Sequence, residues 1–140
     1  MDTQEISDVQ ALINIFFPFA EELIVKFGEF FPFAGATTTD ADFVSVGFHE
    51  DNKHQDANMV VSNLKSSLKK ERDKFIVTTV FFEVKTRDIE TGESEDAIGV
   101  FVEHRNGTSA YEFFYPYKLE AGDNFVVGES YGNAVPKEIF

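Results

Sequence analysis

Residues 97–117, AIGVFVEHRNGTSAYEFFYPY, constrain this chain more than any other stretch. Two apolar, aromatic-rich runs of near-equal length flank Asn106-Gly107, the dipeptide suited to a two-residue type I′ turn because both central residues need positive φ. With that pair at the turn, Arg105 faces Thr108, Val102 opposes Tyr111, Val100 opposes Phe113 and Ile98 opposes Tyr115. One face then carries aliphatic–aromatic pairs, each contributing roughly 0.2–1 kcal/mol. A slip of one residue would turn them all outward, so the register is set by the pattern. The other face holds Gly99, Phe101, Glu103 and Arg105 against Thr108, Ala110, Glu112 and Phe114 and is only partly apolar.

The N-terminal third reads as a helix. Ser7, with Gln10 three residues on, has the form of a capping box. Ile6, Val9, Ile13, Phe16, Ala20, Leu23 and Phe27 step by three and four, and Leu12, Phe19 and Ile24 widen the stripe. Pro18 removes one backbone bond, at a cost of about 3 kcal/mol in an isolated helix. The apolar phase runs straight across it, which predicts one kinked helix or two coaxial ones, ended by Gly28.

Residues 33–37 and 43–48 then read as two strands, with Pro32 at a strand entry where no ladder donor is needed. A second helix follows, with Asp56 as N-cap and Ala57, Val60, Val61, Leu64 and Leu68 as its stripe. Lys65, Lys69, Lys70, Arg72 and Lys74 crowd its C-terminal half, where positive charge complements the helix dipole. Residues 75–86, FIVTTVFFEVKT, are β-branched and aromatic on both faces at first, the pattern of a mid-sheet strand. A polar loop leads into the hairpin. Residues 125–127 supply a last short strand before an irregular tail.

The element order is therefore α-β-β-α-β-β-β(-β). It predicts an α+β fold across residues 1–140 as a single domain, with an antiparallel sheet of about five to six strands and both helices packed on one face. About 140 residues suffice for one core with a radius of gyration near 14 Å. The order resembles that of profilin-like and roadblock-like domains, an analogy that carries no function.

The stretches EFFPFAGATTTDADFVSVGF, His54-Gln55-Asp56 opening a helix, and SEDAIGVFVEHRNGTSAYEFFYPY resemble a family of small uncharacterised bacterial proteins with E-F-x-P-F-A and E-H-R-x-G segments. The resemblance spans roughly residues 25 to 118. This chain departs from the pattern by an extra Glu in Ser94-Glu95-Asp96-Ala97-Ile98 and by Gln55 in place of Pro. The family has no established activity, so the resemblance implies a compact fold and no catalytic residue.

Composition narrows the function classes. The chain has 25 acidic and 12 basic residues, a net charge of −13, which repels phosphate backbones and argues against nucleic-acid binding. No cysteine is present, which excludes disulfides and thiolate chemistry and suits a reducing, cytoplasmic setting. The start, MDTQEISD, lacks a signal-peptide pattern, and no apolar run reaches membrane-spanning length.

No cofactor motif is expected: the glycines show neither G-x-G-x-x-G nor a P-loop pattern. His49, Asp51 and His54, with Glu50 and Asp56, are the densest set of metal-ligand types, but the spacing matches no known zinc motif, so no metal site is expected. His104 opposite Ser109 lacks the context of an activated nucleophile, so no catalytic residue is assigned and an enzyme is the less favoured class. Seventeen phenylalanines are more informative. Phe31, Phe33, Phe101 and Phe114, with His104 and Arg105 at the hairpin tip, are the binding candidates, because exposed aromatic patches mark interfaces.

Two readings follow. The first is a non-enzymatic cytoplasmic protein-binding module, of the immunity type, antagonising a basic partner; its exposed sheet edge also allows a homodimer. The second is a small-molecule-binding or enzymatic domain with a pocket between helices and sheet near residues 49–56.

Overall fold

The computed structural model describes residues 1–46, 56–88 and 90–140. In chain order they form α1 (Thr3–Phe27), β1 (Phe33–Thr38), β2 (Phe43–Val46), α2 (Ala57–Lys70), β3 (Phe75–Arg87), β4 (Ser94–His104), β5 (Ala110–Glu120), β6 (Asn124–Val127) and β7 (Tyr131–Val135). The strands make one antiparallel sheet in the order β2-β1-β3-β4-β5-β6, with β7 also paired to β5. The α+β class and the antiparallel sheet are those the sequence predicts. The seventh strand lies in the stretch that reads as an irregular tail.

The hairpin register is as the cross-strand pattern requires, with Val102 opposite Tyr111, Val100 opposite Phe113 and Ile98 opposite Tyr115. Its turn is not type I′. The His104 carbonyl accepts from the Gly107 N–H, and neither Asn106 nor Gly107 has positive φ. A neighbouring side chain and one from far along the chain replace the close two-residue closure: Asn106 N–H donates to His104 Nδ1, and Lys137 Nζ donates to the Arg105 and Gly107 carbonyls.

The two helices cover opposite faces of the sheet, not one. In β4, Ile98, Val100 and Val102 pack with Val9, Leu12, Ile13, Phe16, Ala20 and Ile24 of α1. Phe101, from the alternate face of the same strand, packs with Val60, Leu64 and Leu68 of α2. An apolar stripe states that a helix must be covered, and nothing in it selects which side of the sheet does so. Strand β1 obeys the same alternation, with Phe33 against the α1 core and Ala34 and Ala36 in the α2 core. At the β1–β3 pairing a bulge leaves Ile76 without an opposite residue, because Thr37 pairs Val77 and Thr38 pairs Phe75. That extra residue turns Phe75 into the α2 core.

Helix α1 runs unbroken through Pro18 and ends at Gly28 in the left-handed region, φ 79°. It starts earlier than Ser7: Asp2 is the N-cap, its carboxylate accepting from Glu5 N–H at 2.8 Å. Asp2 and Glu5 have the same three-residue spacing as Ser7 and Gln10, and the earlier pair gains a further turn of helix. Asp56 caps α2 as expected, accepting from Asn58 N–H.

Candidate functional site

Among the described residues, helix α1 packs over the middle of the sheet and leaves the β1–β2 edge uncovered on its side. The burial pattern shows this directly. Val44 and Val46 of β2 belong with the α2 core, whereas Phe43 and Ser45, which face the α1 side, are exposed. Between that bare edge and the C-terminal half of α1 lies an open groove of about 610 Å³. One wall is the outer apolar row of α1, Phe16, Phe19, Leu23 and Phe27; the other is the connection into β1, Glu29, Phe30, Phe31 and Phe33, with Ser45 at the edge. Six phenylalanines therefore share one groove. Phe19, Phe27 and Phe31 are 54%, 70% and 47% exposed, unusual values for side chains whose full burial contributes roughly 1.5–3 kcal/mol each.

Two local features hold the groove open. The ring of Phe16 lies over Gly35, where a Cβ would come within 2.4 Å of it, so only glycine lets α1 approach β1 this closely. Phe33 stacks on Phe81 with ring centroids 5.0 Å apart, which fixes the floor to the central strand. The second wall is tied down by Phe30, whose N–H donates to the Glu83 carboxylate. Burial raises the Glu83 carboxyl above its ordinary range, and the nearby Glu29 and Asp96 charges push it the same way, against the hydrogen bond from Phe30. Burial also raises the Tyr117 phenol, reinforced by the same Glu83 and Asp96 charges. Among the described residues, Glu29 is the only charged one lining the groove, and no lysine or arginine does.

Of the residues singled out from sequence, Phe31 and Phe33 meet in this groove. The other four do not. Phe101 is fully buried beneath α2, with Lys65 Nζ 4.2 Å from its ring centroid. Phe114 is half-buried beside Tyr131, ring centroids 5.4 Å apart. That face therefore does not present the two phenylalanines as an exposed aromatic surface.

His104 and Arg105 sit at the opposite end of the sheet, and the tip they flank, with Asn106 and Thr108 exposed, is anchored from both sides. His104 is buried and pairs through Nε2 with Asp8 of α1 at 2.8 Å. Arg105 donates to the Arg72 carbonyl at 2.7 Å. Beside them, the fully buried Glu103 carboxylate accepts from three consecutive backbone N–H groups, those of Glu138, Ile139 and Phe140. The basic stretch of α2 and the turn after it is also partly engaged, Lys65 with Glu138 at 2.6 Å and Lys74 with Glu71 at 3.1 Å.

His49, Asp51 and His54, and with them most of the pocket mouth expected near residues 49–56, lie outside the described residues. Among the described residues no group of three or more His, Cys, Asp or Glu side chains is placed to hold a metal ion. None of their helices is long and apolar enough to cross a membrane.

Sequence reasoning missed Phe16, Phe19, Leu23, Phe27 and Glu29 as site residues. The signal was present: the apolar stripe of α1 is wider than one sheet face needs, and Phe19, Leu23 and Phe27 form its outer i, i+4, i+8 row. Compared with known protein families, curated proteins and solved structures, the chain matches none.

Proposed function

We propose that the protein is a non-enzymatic binding module that engages a basic protein partner through the phenylalanine-lined groove. The observation that carries this is the groove itself: six phenylalanines, three of them about half exposed or more, on a chain of net charge −13. Contiguous exposed aromatic surface is retained against its solvation cost where a partner covers it. A surplus of acid steers and selects a basic partner. The immunity-type antagonist and the cytoplasmic setting, which rests on the cysteine-free composition, belong to the same proposal. So does membership of the uncharacterised bacterial family. Its E-F-x-P-F-A segment corresponds to Glu29–Ala34, which forms one groove wall, and its E-H-R-x-G segment corresponds to the anchored tip.

The test is capture of a partner from the native host by the wild type and by a Phe19→Ser/Phe31→Ser variant. The expected result is a complex at low salt whose association slows as salt rises and which the variant loses. No partner at low salt, or equal capture by the variant, counts against the reading.

A second reading is favoured by the volume of the groove, which lies in the roughly 300–1,000 Å³ range of small-molecule sites. It takes an apolar ligand. Mass spectrometry of the purified protein under non-denaturing conditions would show a co-purifying small molecule if this reading holds, and the bare chain mass if it does not.

A further inference from the structure

We infer that Asn106 is a modification site, an asparagine that converts to aspartate and isoaspartate with water as the only co-reactant, and that the anchored hairpin tip controls its rate. Asn106-Gly107 is the one Asn-Gly pair in the sequence, and Asn106 is exposed. Glycine places no Cβ beside the attacking nitrogen, which makes such a pair chemically labile in an open chain.

The reaction needs one atom that the fold holds back. The Gly107 backbone nitrogen, once its proton has passed to solvent, attacks the side-chain carbonyl carbon of Asn106; that C–N bond forms, the bond to Nδ2 breaks, and ammonia leaves. Water then opens the cyclic imide. Attack at the side-chain carbonyl gives aspartate, and attack at the main-chain carbonyl gives isoaspartate, with the Asn106 Cβ inserted into the main chain.

In the folded protein the Gly107 N–H donates to the His104 carbonyl at 3.0 Å. The groups around it are pinned as well. Asn106 N–H donates to His104 Nδ1 at 3.1 Å, and Lys137 Nζ donates to the Arg105 carbonyl at 3.3 Å and to the Gly107 carbonyl at 2.8 Å. The Glu5 carboxylate lies alongside, 3.6 Å from where a Gly107 Cβ would stand, and its charge opposes loss of the proton from the neighbouring N–H. The nitrogen is therefore free to react only when the tip opens.

The product undoes the anchor. Isoaspartate carries the Gly107 N–H and carbonyl away from His104 and Lys137, and Lys137 leads directly into Glu138–Phe140, whose N–H groups the Glu103 carboxylate holds. Conversion at Asn106 thus loosens the C-terminal segment.

The intact chain is incubated at mildly alkaline pH, folded and in guanidinium, alongside folded Lys137→Ala, and peptide mass spectrometry with isoaspartate detection follows Asn106. Conversion is expected to be at least about tenfold faster in guanidinium than in the folded chain, with Lys137→Ala in between and its Gly107 amide exchanging faster to match. A melting temperature well above that of the incubation verifies that the variant is folded. Protein carrying isoaspartate is expected to exchange faster at Glu138–Phe140 than fresh protein. No conversion at Asn106 in guanidinium overturns the site. Equal rates in the folded and unfolded chains, or a Lys137→Ala chain that keeps the wild-type rate, overturn control by the tip. Unchanged exchange at Glu138–Phe140 in the converted protein overturns the link to the tail.

Discussion

The Nε2 of His104, at the end of β4, stands 2.8 Å from the carboxylate of Asp8 in α1 and is buried there. Its Nδ1 accepts from the Asn106 backbone, so Nε2 is the protonated nitrogen and donates to Asp8. Asp8→Ala strips that buried N–H of its acceptor and is expected to cost about 1–2 kcal/mol. Chemical denaturation measures it. A variant as stable as the wild type would mean the pair does not hold α1 in place.

Glu103 carries more. Its carboxylate is the shared acceptor of the Glu138, Ile139 and Phe140 N–H groups, and Ile139 is buried against the α2 core. Glu103→Ala leaves those donors without an acceptor and opens a gap beside Ile139, at an expected cost of about 3 kcal/mol. The loss is expected to be local first. Hydrogen exchange of Tyr131–Phe140 accelerates while that of β3 and β4 keeps most of its protection, whereas unchanged tail exchange would contradict the anchor.

Glu83 sets a pH dependence. Its carboxyl is raised in the folded protein, mainly by burial. The folded state therefore holds the proton more tightly than the unfolded one. This group's contribution favours folding below the ordinary carboxyl range and is lost as pH rises from that range through the raised value. Glu83→Gln keeps an oxygen for the Phe30 N–H and removes the charge. At pH 7 the variant is expected to be at least as stable as the wild type, with the difference vanishing at acid pH. A wild type that gains on the variant as pH rises would reverse the assignment.

Gly35→Ala places a methyl group within 2.4 Å of the Phe16 ring. The ring must move or α1 must lift, at a cost of about 1–3 kcal/mol from overpacking. Because Phe16 also lines the groove, the resonances of Phe19 and Phe31 are expected to shift with it. Thermal melts and aromatic chemical shifts read the two effects, and an unperturbed variant would show that the close approach is not a constraint. The same device recurs at Gly99 under Phe82 and at Gly132 under Phe113, each with a notional Cβ 2.3 Å from the ring.

The legible parts of this chain were those encoded by short-range period. The β4–β5 register, eight residue pairs long, followed from alternation, the Gly28 stop from its need for positive φ, and the Asp56 cap from its side chain. The turn at Asn106-Gly107 was misread because the groups that shape it, His104 Nδ1 and Lys137, are set by the tertiary fold, with Lys137 arriving from the far end of the chain. The sharing of one face by the two helices was misread because a stripe is symmetric with respect to the two sides of a sheet. The groove was hidden for a third reason. Phe19 and Phe27 have the spacing of core residues, and only the place where the sheet runs out beneath them leaves them exposed.

The alternation of β4 between its two neighbours has one more consequence. Consecutive residues of that strand, Val100 and Phe101, answer to different helices, so the sheet is a partition between two rooms that share a wall. Most of the α1 side can be rebuilt residue by residue without disturbing what lines the α2 side, Ala34 excepted, which belongs to the α2 core and also lines the groove. For an engineer, this is two small redesign problems in place of one large one.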